Sequence, residues 1–428
     1  MTITPDKAAE GRRNFLKILA GTPALAALGV AAAMKGPVRG GPVRVGFIGV
    51  GGQGRVLLSN VDPAFAEVRA LCDINPASPT RADEVLAKNK LPAATHYADY
   101  REMLQKEDIE AVIMAPPLWA HADLAVGCLE AGKHVLCEKM MAASIADCER
   151  MRDAARRTGK VLEIGYQRNY NAMYHAAYDG IIKSGAIGDI YHVRLAWHRN
   201  GNWRRQGTPP APDFDASKWG YPTFEHLINW RLYWKYSQGL MAELCSHQLN
   251  ATNWFLGSKP EAVHANGGVL RFKDGREVFD HVYATFEYPG GQTAVFSSVE
   301  SNAFDDYYEM FMGTKGTLIL RREIEALYFE EGNGETGATT ITVTPQTGGA
   351  VALSSETQAA NTNRQMAQGS PVSPLFDRPR STRLQIQRFC SAIRVGTPVA
   401  CGPDKAFDSA TACIRANEAA KQKARLTV

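Results

Sequence analysis

The chain has 428 residues, of which 45% are hydrophobic and 21% are charged, a composition typical of a globular protein and unlike that of a disordered or collagen-like chain. Its 48 basic and 44 acidic residues leave a net charge of +4, which is too small to indicate nucleic acid as the main partner. The 8 cysteines include no CxxC pair, so the sequence predicts no zinc or other metal site and no disulfide scaffold. The length suggests two domains.

Residues 1–42 have the pattern of a signal and linker. Arg12 and Arg13 precede a mildly hydrophobic stretch, 18–34, with a run of alanines near its end. The run RRNFLK resembles the twin-arginine export signal, although Gly11 stands where that signal usually has Ser or Thr. The resemblance implies the twin-arginine export machinery as a partner and a periplasmic location. The alternative is a short membrane anchor, which would tether the protein if the signal stays uncleaved.

Residues 43–163 alternate between strands and helices, which predicts a Rossmann domain with a doubly wound parallel sheet. The apolar strand at 43–48 runs directly into a glycine-rich loop. In a GxGxxG loop the first glycine allows a tight turn, the second lets the backbone approach a pyrophosphate, and the third allows a helix to pack on the strand. The residues predicted to bind a dinucleotide here are Gly49, Gly51, Gly52, Gln53 and Gly54.

The next strand, 67–72, ends in Asp73, at the distance from Gly54 expected for a carboxylate that binds the adenosine ribose. Such a carboxylate repels a 2′-phosphate, so the predicted cofactor is NAD, and NADP is disfavoured. The alternative is that Asp73 is an ordinary turn residue.

Two later strand ends carry further candidate residues. Pro116 and His121 follow one apolar strand, and Glu138 and Lys139 follow the next. Ligands bind at the carboxyl ends of strands in open α/β sheets. Lys139 is therefore a candidate for acid–base chemistry or for holding a substrate hydroxyl, with a surface lysine on a turn as the alternative.

The residues at 48–52, Pro116 with His121, and the run AGKHVLCEK at 131–139 resemble the glucose–fructose oxidoreductase/inositol dehydrogenase/MocA (Gfo/Idh/MocA) family. The similarity extends over nearly all of 43–428. It implies that Lys139 lies beside the substrate and the nicotinamide. Family members have proline after the Glu-Lys pair where this chain has Met140, a difference that affects the loop and leaves Lys139 in place.

The resemblance continues with Arg168, predicted to bind substrate, and with a helical segment that carries Glu243, His247 and Asn250. Positions i, i+4 and i+7 of an α-helix share a face, so Glu243 is predicted to orient His247. The resemblance makes His247 the acceptor of the proton from the substrate hydroxyl. Asn250 replaces the usual Asp and is expected near the substrate. The alternatives for Glu243 and His247 are a helix-surface pair or a metal site.

Residues 164–382 carry consecutive strands, which predicts an α+β domain with a large open, mostly antiparallel sheet. The resemblance implies that this domain serves substrate binding and oligomerisation. The segment 355–377 is expected to be a long surface loop. The helices of 383–428 are expected to return to the Rossmann domain. The resemblance also implies a homodimer or homotetramer.

An insert at 198–239 is crowded with aromatic and arginine side chains, among them Trp230 and Arg231. Such groups suit a polyhydroxylated ring with apolar faces, so both are predicted to bind substrate. An oligomer contact or a loop core is the alternative.

Together these patterns predict an NAD-dependent oxidoreductase that takes hydride from a carbohydrate or cyclitol hydroxyl. Free NAD is scarce outside the cytoplasm, so a tightly held cofactor is expected. A second hypothesis is therefore a redox-neutral glycosidase or lyase that works through a transient keto-sugar. A third hypothesis is a non-catalytic sugar-binding protein, which the departures at Met140 and Asn250 suggest.

Overall fold

The computed structural model describes residues 3–20, 40–207, 209–211, 213–330, 341–345, 351–355 and 378–428. Its first sheet has six parallel strands: β1 (Val43–Ile48), β2 (Ala66–Cys72), β3 (Thr95–Tyr97), β4 (Ala111–Met114), β5 (His134–Cys137) and β6 (Leu162–Ile164). They lie in the order β3-β2-β1-β4-β5-β6. The order reverses between β1 and β4, which opens a crevice at the carboxyl ends of the strands. This is the predicted Rossmann arrangement.

Helices connect these strands, and both faces of the sheet are covered. Their bounds are Gly52–Ser59, Ala77–Lys88, Tyr100–Lys106, His121–Glu130 and Ile145–Thr158. All four side chains of β4 are buried, as expected for a central strand between two helical layers. Burial on both faces explains why the sequence of this strand is apolar throughout instead of alternating.

The second sheet has eight strands: β7 (Ile190–His198), β8 (Ala262–Gly268), β9 (His281–Glu287), β10 (Thr293–Val299), β11 (Tyr307–Gly313), β12 (Gly316–Arg321), β13 (Glu325–Glu330) and β16 (Leu426–Thr427). They lie in the order β13-β12-β11-β7-β10-β9-β8-β16. Only the pair β7 and β10 is parallel among the described strands of this sheet. The mostly antiparallel sheet predicted from the sequence is confirmed.

Side chains of the second sheet alternate between a buried face and an open face, as in the pattern of β10. The buried face packs against short helical segments and one longer helix. These elements are Ala172–Ala177, the π-helical turns Tyr178–Ile182 and Met241–Cys245, and Ser246–Leu256. The described part of the insert contributes three short helical segments, Ala216–Trp219, Phe224–Ile228 and Trp230–Leu232. A separate hairpin pairs β14 (Ile341–Pro345) with β15 (Val351–Ser355).

The two C-terminal helices join the domains. Helix Arg378–Val395 buries Ile386 and Phe389 against the first sheet, and its Arg394 pairs with Glu110 at 2.6 Å. Helix Pro403–Gln422 contacts both the helix Ile145–Thr158 and strand β8. The C-terminal segment therefore contacts both the first sheet and the second.

The N-terminal segment with the two arginines forms the helix Pro5–Ala20, which packs against the edge strand β13. Phe15 and Leu19 are buried, and Arg12 pairs with Glu325 at 2.7 Å. The hydrophobic part of the predicted signal lies mostly outside the described residues, as does nearly all of the expected loop 355–377. Among the helices that the structure describes, none combines the length and the hydropathy needed to cross a bilayer.

Candidate active site

A cleft of about 980 Å³ lies at the carboxyl ends of the first sheet and extends to the insert and the second sheet. The glycine loop forms one end of this cleft. Gly49 has φ of +78°, and a Cβ there would lie 2.7 Å from the nitrogen of Pro116. A Cβ on Gly54 would lie 2.0 Å from the Gly49 oxygen, whereas Gly51 and Gly52 face open space. The loop thus has the tight turn, the open cradle and the close helix contact that a pyrophosphate site requires.

Asp73 lies beside this loop at the end of β2. Its carboxylate accepts hydrogen bonds from the backbone N–H groups of Val50 (2.9 Å) and Asn75 (2.8 Å). Burial raises the pKa of Asp73 to about 6, although these two backbone donors oppose the shift. The group is therefore mostly ionised at pH 7 and lines the cleft where the adenosine end of NAD would bind. The open glycine cradle and this carboxylate fit NAD.

The predicted cofactor-binding residues beyond the loop also line the cleft. Gln53 donates a hydrogen bond to the Glu138 carboxylate at 2.7 Å, which links the glycine loop to the end of β5. His121 contacts the carbonyl oxygens of Pro116 (3.2 Å) and Met140 (2.9 Å) through its two ring nitrogens. Burial lowers the pKa of His121 to about 4, so the ring is neutral near pH 7. The peptide bond after Lys139 is cis.

Lys139 is fixed by the segment that precedes the helix Ser246–Leu256. Its Nζ donates hydrogen bonds to the backbone carbonyls of Ala242 (3.3 Å) and Glu243 (3.1 Å) and lies 3.9 Å from the Glu243 carboxylate. That carboxylate also accepts a hydrogen bond from Arg231 at 2.9 Å. Burial alone would raise the pKa of Glu243, but Arg231 and Lys139 outweigh it and bring the pKa to about 2. Glu243 is therefore a buried anion shared by two cations.

His247 lines the same cleft and is almost fully buried. Its ring packs edge-on against Tyr166, with ring centres 6.0 Å apart, and lies 5.9 Å from Trp197. Trp197 is itself stacked on Tyr307 at 4.4 Å. The aromatic neighbours fix the imidazole plane within the cleft, as a proton-transfer group requires.

The predicted pairing of Glu243 with His247 assumed a regular α-helix, and the structure corrects that assumption. Residues Met241–Cys245 form a π-helical turn, and the α-helix begins only at Ser246. A π-turn has more residues per turn than an α-helix, so the i,i+4 alignment does not hold across it. The Glu243 carboxylate is bound by Arg231 and Lys139, and we assign it to holding these cations in place.

The structure also corrects the prediction for Arg168. This side chain is 1% exposed and pairs with two buried carboxylates, Glu309 and Glu323, instead of lining the cleft. Its guanidinium lies 5.3 Å from the ring of Trp197 and so supports the residue that packs on His247. The preceding residue, Gln167, lines the cleft in its place. The sequence could have indicated Gln167 because it lies just beyond the end of β6.

Asn250 is likewise turned away from the cleft. Its amide accepts a hydrogen bond from Asn169 (2.8 Å) and donates to Ser409 (3.4 Å) on a C-terminal helix. The prediction that Asn250 contacts the substrate is therefore wrong, because its amide is hydrogen-bonded to Asn169 and Ser409 inside the protein.

Trp230 and Arg231, which the sequence predicts to bind substrate, both line the cleft, and the arginine lies over the indole at 4.2 Å. Arg199 and Arg205 of the same insert line it as well. Trp197 is a cleft residue that the sequence reasoning missed, because it lies within strand β7 and has the pattern of an ordinary strand residue.

The described residues hold no cluster of His, Cys, Asp or Glu suited to a metal ion. The site thus consists of a dinucleotide cradle, a lysine fixed by a carboxylate, and a histidine held between aromatic rings.

Two family models match the chain in succession. Residues 43–166 match the oxidoreductase family with an NAD-binding Rossmann fold, Gfo/Idh/MocA, and residues 175–319 match the C-terminal domain of the same family. Together they span more than half of the chain. The chain belongs to the Gfo/Idh/MocA oxidoreductase family. The NAD-binding fold expected from the glycine loop is thereby confirmed.

Among curated relatives, inositol 2-dehydrogenase from Salmonella typhimurium is 33% identical over 190 residues, 44% of this chain and 53% of the relative. An α-N-acetylgalactosaminidase from Shewanella oneidensis is 32% identical over 182 residues, 38% of this chain and 39% of the relative. The chain thus spans about half or less of the length of the curated relatives it matches. Levoglucosan dehydrogenase, solved with NADH and L-sorbose, has the same fold, with a TM-score of 0.67, 19% identity and coverage of 91% of this chain and 99% of that one.

Proposed function

We propose that this family member catalyses NAD-dependent oxidation of a hydroxyl group on a carbohydrate or cyclitol. The observation that carries the proposal is that Lys139 and His247 line the same cleft as the glycine loop. When bound, NAD supplies an acceptor for the hydride that leaves the substrate carbon. Gly51, Gly52 and Asp73 are the residues that would hold it.

Lys139 binds the reacting hydroxyl in this proposal. An ammonium group has three N–H donors, and the carbonyls of Ala242 and Glu243 take two of them. The third is available to the substrate oxygen. The positive charge stabilises that oxygen as its proton leaves, and the Glu243 carboxylate keeps the ammonium in position.

His247 accepts the hydroxyl proton. Imidazole is the side chain best suited to proton transfer near neutral pH, and this ring is held in the cleft by Tyr166 and Trp197. Burial excludes bulk water from the ring and so directs the proton transfer to the bound hydroxyl.

The test is the turnover of inositols and aldoses with NAD by Lys139→Ala and His247→Ala. We expect each variant to lower kcat by about 10²–10⁴-fold, because each removes a group that handles the proton or the charge. Lys106→Ala and His264→Ala are matched controls, since both side chains are exposed and outside the cleft. Turnover within a few-fold of the parent for both cleft variants would exclude the assigned roles.

The glycosidase relative supports a second candidate, the redox-neutral cleavage of a glycoside. Oxidation of a sugar hydroxyl acidifies the neighbouring C–H bond, so that a glycosidic substituent can be eliminated before the carbonyl is reduced again. Lys139 and His247 would serve both reactions. Incubation with aryl glycosides and no external acceptor distinguishes them: steady release of the aglycone favours cleavage, and no release favours net oxidation.

We propose further that the protein is exported by the twin-arginine route, on the support of Arg12 and Arg13 in the run RRNFLK. Homodimer or homotetramer formation through the open face of the second sheet stays a prediction. That face carries the exposed aromatic side chain of Tyr283.

A further inference from the structure

Three arginine side chains of the insert line the cleft: Arg199, Arg205 and Arg231. Hydrogen bonds fix the backbone of Arg199 and Arg205. The Arg199 N–H donates to the Val299 carbonyl at 2.9 Å, and its guanidinium lies 4.8 Å from the Trp203 ring. The Asn229 side chain accepts a hydrogen bond from the Arg205 N–H (2.6 Å) and donates to the Arg205 carbonyl (3.1 Å). The structure thus holds three guanidiniums at the edge of one cavity.

Two of these guanidiniums have no carboxylate of their own among the described residues. Within those ranges, Arg199 and Arg205 form no ion pair within 4.0 Å, and Arg231 shares Glu243 with Lys139. By contrast, the neighbouring Arg204 forms ion pairs with Glu225 and with Asp274, the latter at 3.1 Å. Glu225 of the insert and Asp274 beyond it therefore neutralise an arginine outside the cleft, whereas Arg199 and Arg205 have no such partners among the described residues.

The positive charges act on one another. Partial burial, together with the Arg231 charge, lowers the pKa of Arg199 and of Arg205. Glu300 is near Arg199, but it already pairs with Arg276 at 2.7 Å, and burial raises its pKa to about 7. The Glu243 carboxylate pairs with Arg231 and Lys139, and its charge also acts on Arg199 and Arg205, so one carboxylate serves four cations. Such an arrangement is costly unless a ligand supplies negative charge.

The diphosphate of NAD would bind at the glycine loop and not at these three arginines. The open backbone at Gly51 and Gly52 and the start of the helix Gly52–Ser59 form its cradle, and Arg55 lies in the first turns of that helix. Arg199 and Arg231 instead lie at the Glu243 end of the cleft, where Lys139 would bind the reacting hydroxyl. The unmatched charge of Arg199 is therefore located on the substrate side, and Arg205 lies between it and Arg55 of the cofactor cradle.

A neutral sugar can accept hydrogen bonds from a guanidinium but cannot offset its charge. A carboxylate or a phosphate does both, and its oxygens match the planar N–H pairs of arginine. We propose that Arg199, Arg205 and Arg231 form an anion subsite and that the substrate is an acidic sugar or cyclitol, carrying a carboxylate or a phosphate. This inference rests on the proposed function and specifies its substrate class.

The test is calorimetric titration of the NAD-saturated protein with matched ligand sets. Each set contains a neutral parent, its uronate and its monophosphate: D-glucose with D-glucuronate and glucose 6-phosphate, and D-galactose with D-galacturonate and galactose 6-phosphate. We expect at least one acidic member to bind tenfold or more tightly than its parent at low salt. The comparison of uronate with phosphate identifies which anion the subsite takes. Binding of the acidic ligand should weaken at high salt, because charge contacts are screened.

Arg199→Gln should reduce the affinity for the acidic ligand by about tenfold and leave the neutral parent nearly unchanged. Arg271→Gln is the matched control, since this arginine is exposed, lies over an aromatic ring, Phe272, and is outside the cleft. The subsite is excluded if the neutral parents bind as tightly as the acids, or if Arg199→Gln weakens NAD binding instead.

Failure of the subsite and failure of the proposed function give different results. Oxidation of a neutral sugar with no preference for its acid supports the function and excludes the subsite. Arg199-dependent binding of an acidic sugar, with no reduction of NAD by any bound sugar, supports the subsite and excludes the function.

Discussion

At the residue scale, the cleft depends on one buried anion, Glu243, between Lys139 and Arg231. Its pKa falls from an ordinary 4.5 to about 2 in the folded protein. A depressed pKa contributes stability that is present above pH 4.5 and is lost as the pH falls towards 2, with an upper limit of about 3 kcal/mol. Removal of the charge also leaves two cations without their shared partner.

Glu243→Gln should therefore lower the free energy of unfolding by up to about 3 kcal/mol at pH 7, and the difference from the parent should narrow at about pH 3.5. Denaturant unfolding of the variant and the parent at both pH values measures this difference in the free energy of unfolding. Glu149→Gln, at an exposed glutamate, should show no such difference. An equal loss at neutral and acidic pH would show that the Glu243 charge does not stabilise the fold.

Asp73 carries a second residue-scale prediction, the choice between NAD and NADP. Its carboxylate, held by the N–H groups of Val50 and Asn75, would repel a 2′-phosphate. Asp73→Ala should raise the affinity for NADP relative to NAD by at least tenfold, as measured by fluorescence titration of both nucleotides. Asp153→Ala, at an exposed helical aspartate, is the control. An unchanged ratio of affinities would remove Asp73 as the selecting group.

At the element scale, the helix Pro5–Ala20 carries Arg12 and Arg13 and packs on β13. A Cβ on Gly11 would lie 2.7 Å from the Phe329 ring, which explains why a larger residue is absent there. Phe15 is buried and Leu16 is 61% exposed, so the two residues provide a matched comparison.

Hydrogen exchange should show protected amides in this helix. Phe15→Ala should abolish the protection with little effect on the rest of the chain, whereas Leu16→Ala should preserve it, because Phe15 packs on the body of the protein and Leu16 faces solvent. Exchange at the unfolded rate in the parent protein would contradict the docking of this helix.

The elements also show which features of the fold and the site could be predicted from the sequence. The strands of the first sheet and the glycine loop were predictable because strand ends, glycine spacing and apolar runs are local signals. The π-turn Met241–Cys245 was not, since its sequence has the composition of an ordinary helix. The burial of Arg168 could not be predicted either, because its partners Glu309 and Glu323 lie 141 and 155 residues further along the chain.

At the scale of the whole molecule, one cleft brings the cofactor half and the substrate half together. Lys139, from the first sheet, is held by carbonyls of the segment that leads into His247. The sequence predicted both residues but not this link, because a contact between domains has no local signature. In the proposed function, cofactor and substrate therefore bind in this one cleft.

The most direct test of this account is the transfer of deuterium from a sugar to the cofactor. Perdeuterated sugars and cyclitols that bind the protein are incubated with it and NAD, and the nicotinamide is analysed by mass spectrometry. Net oxidation, the proposed function, leaves this deuterium on the reduced nicotinamide, whereas redox-neutral cleavage returns it to the sugar when the carbonyl is reduced again. The account predicts that the nicotinamide gains one deuterium and that Lys139→Ala and His247→Ala greatly slow the transfer. Unlabelled nicotinamide with every sugar that binds would contradict it.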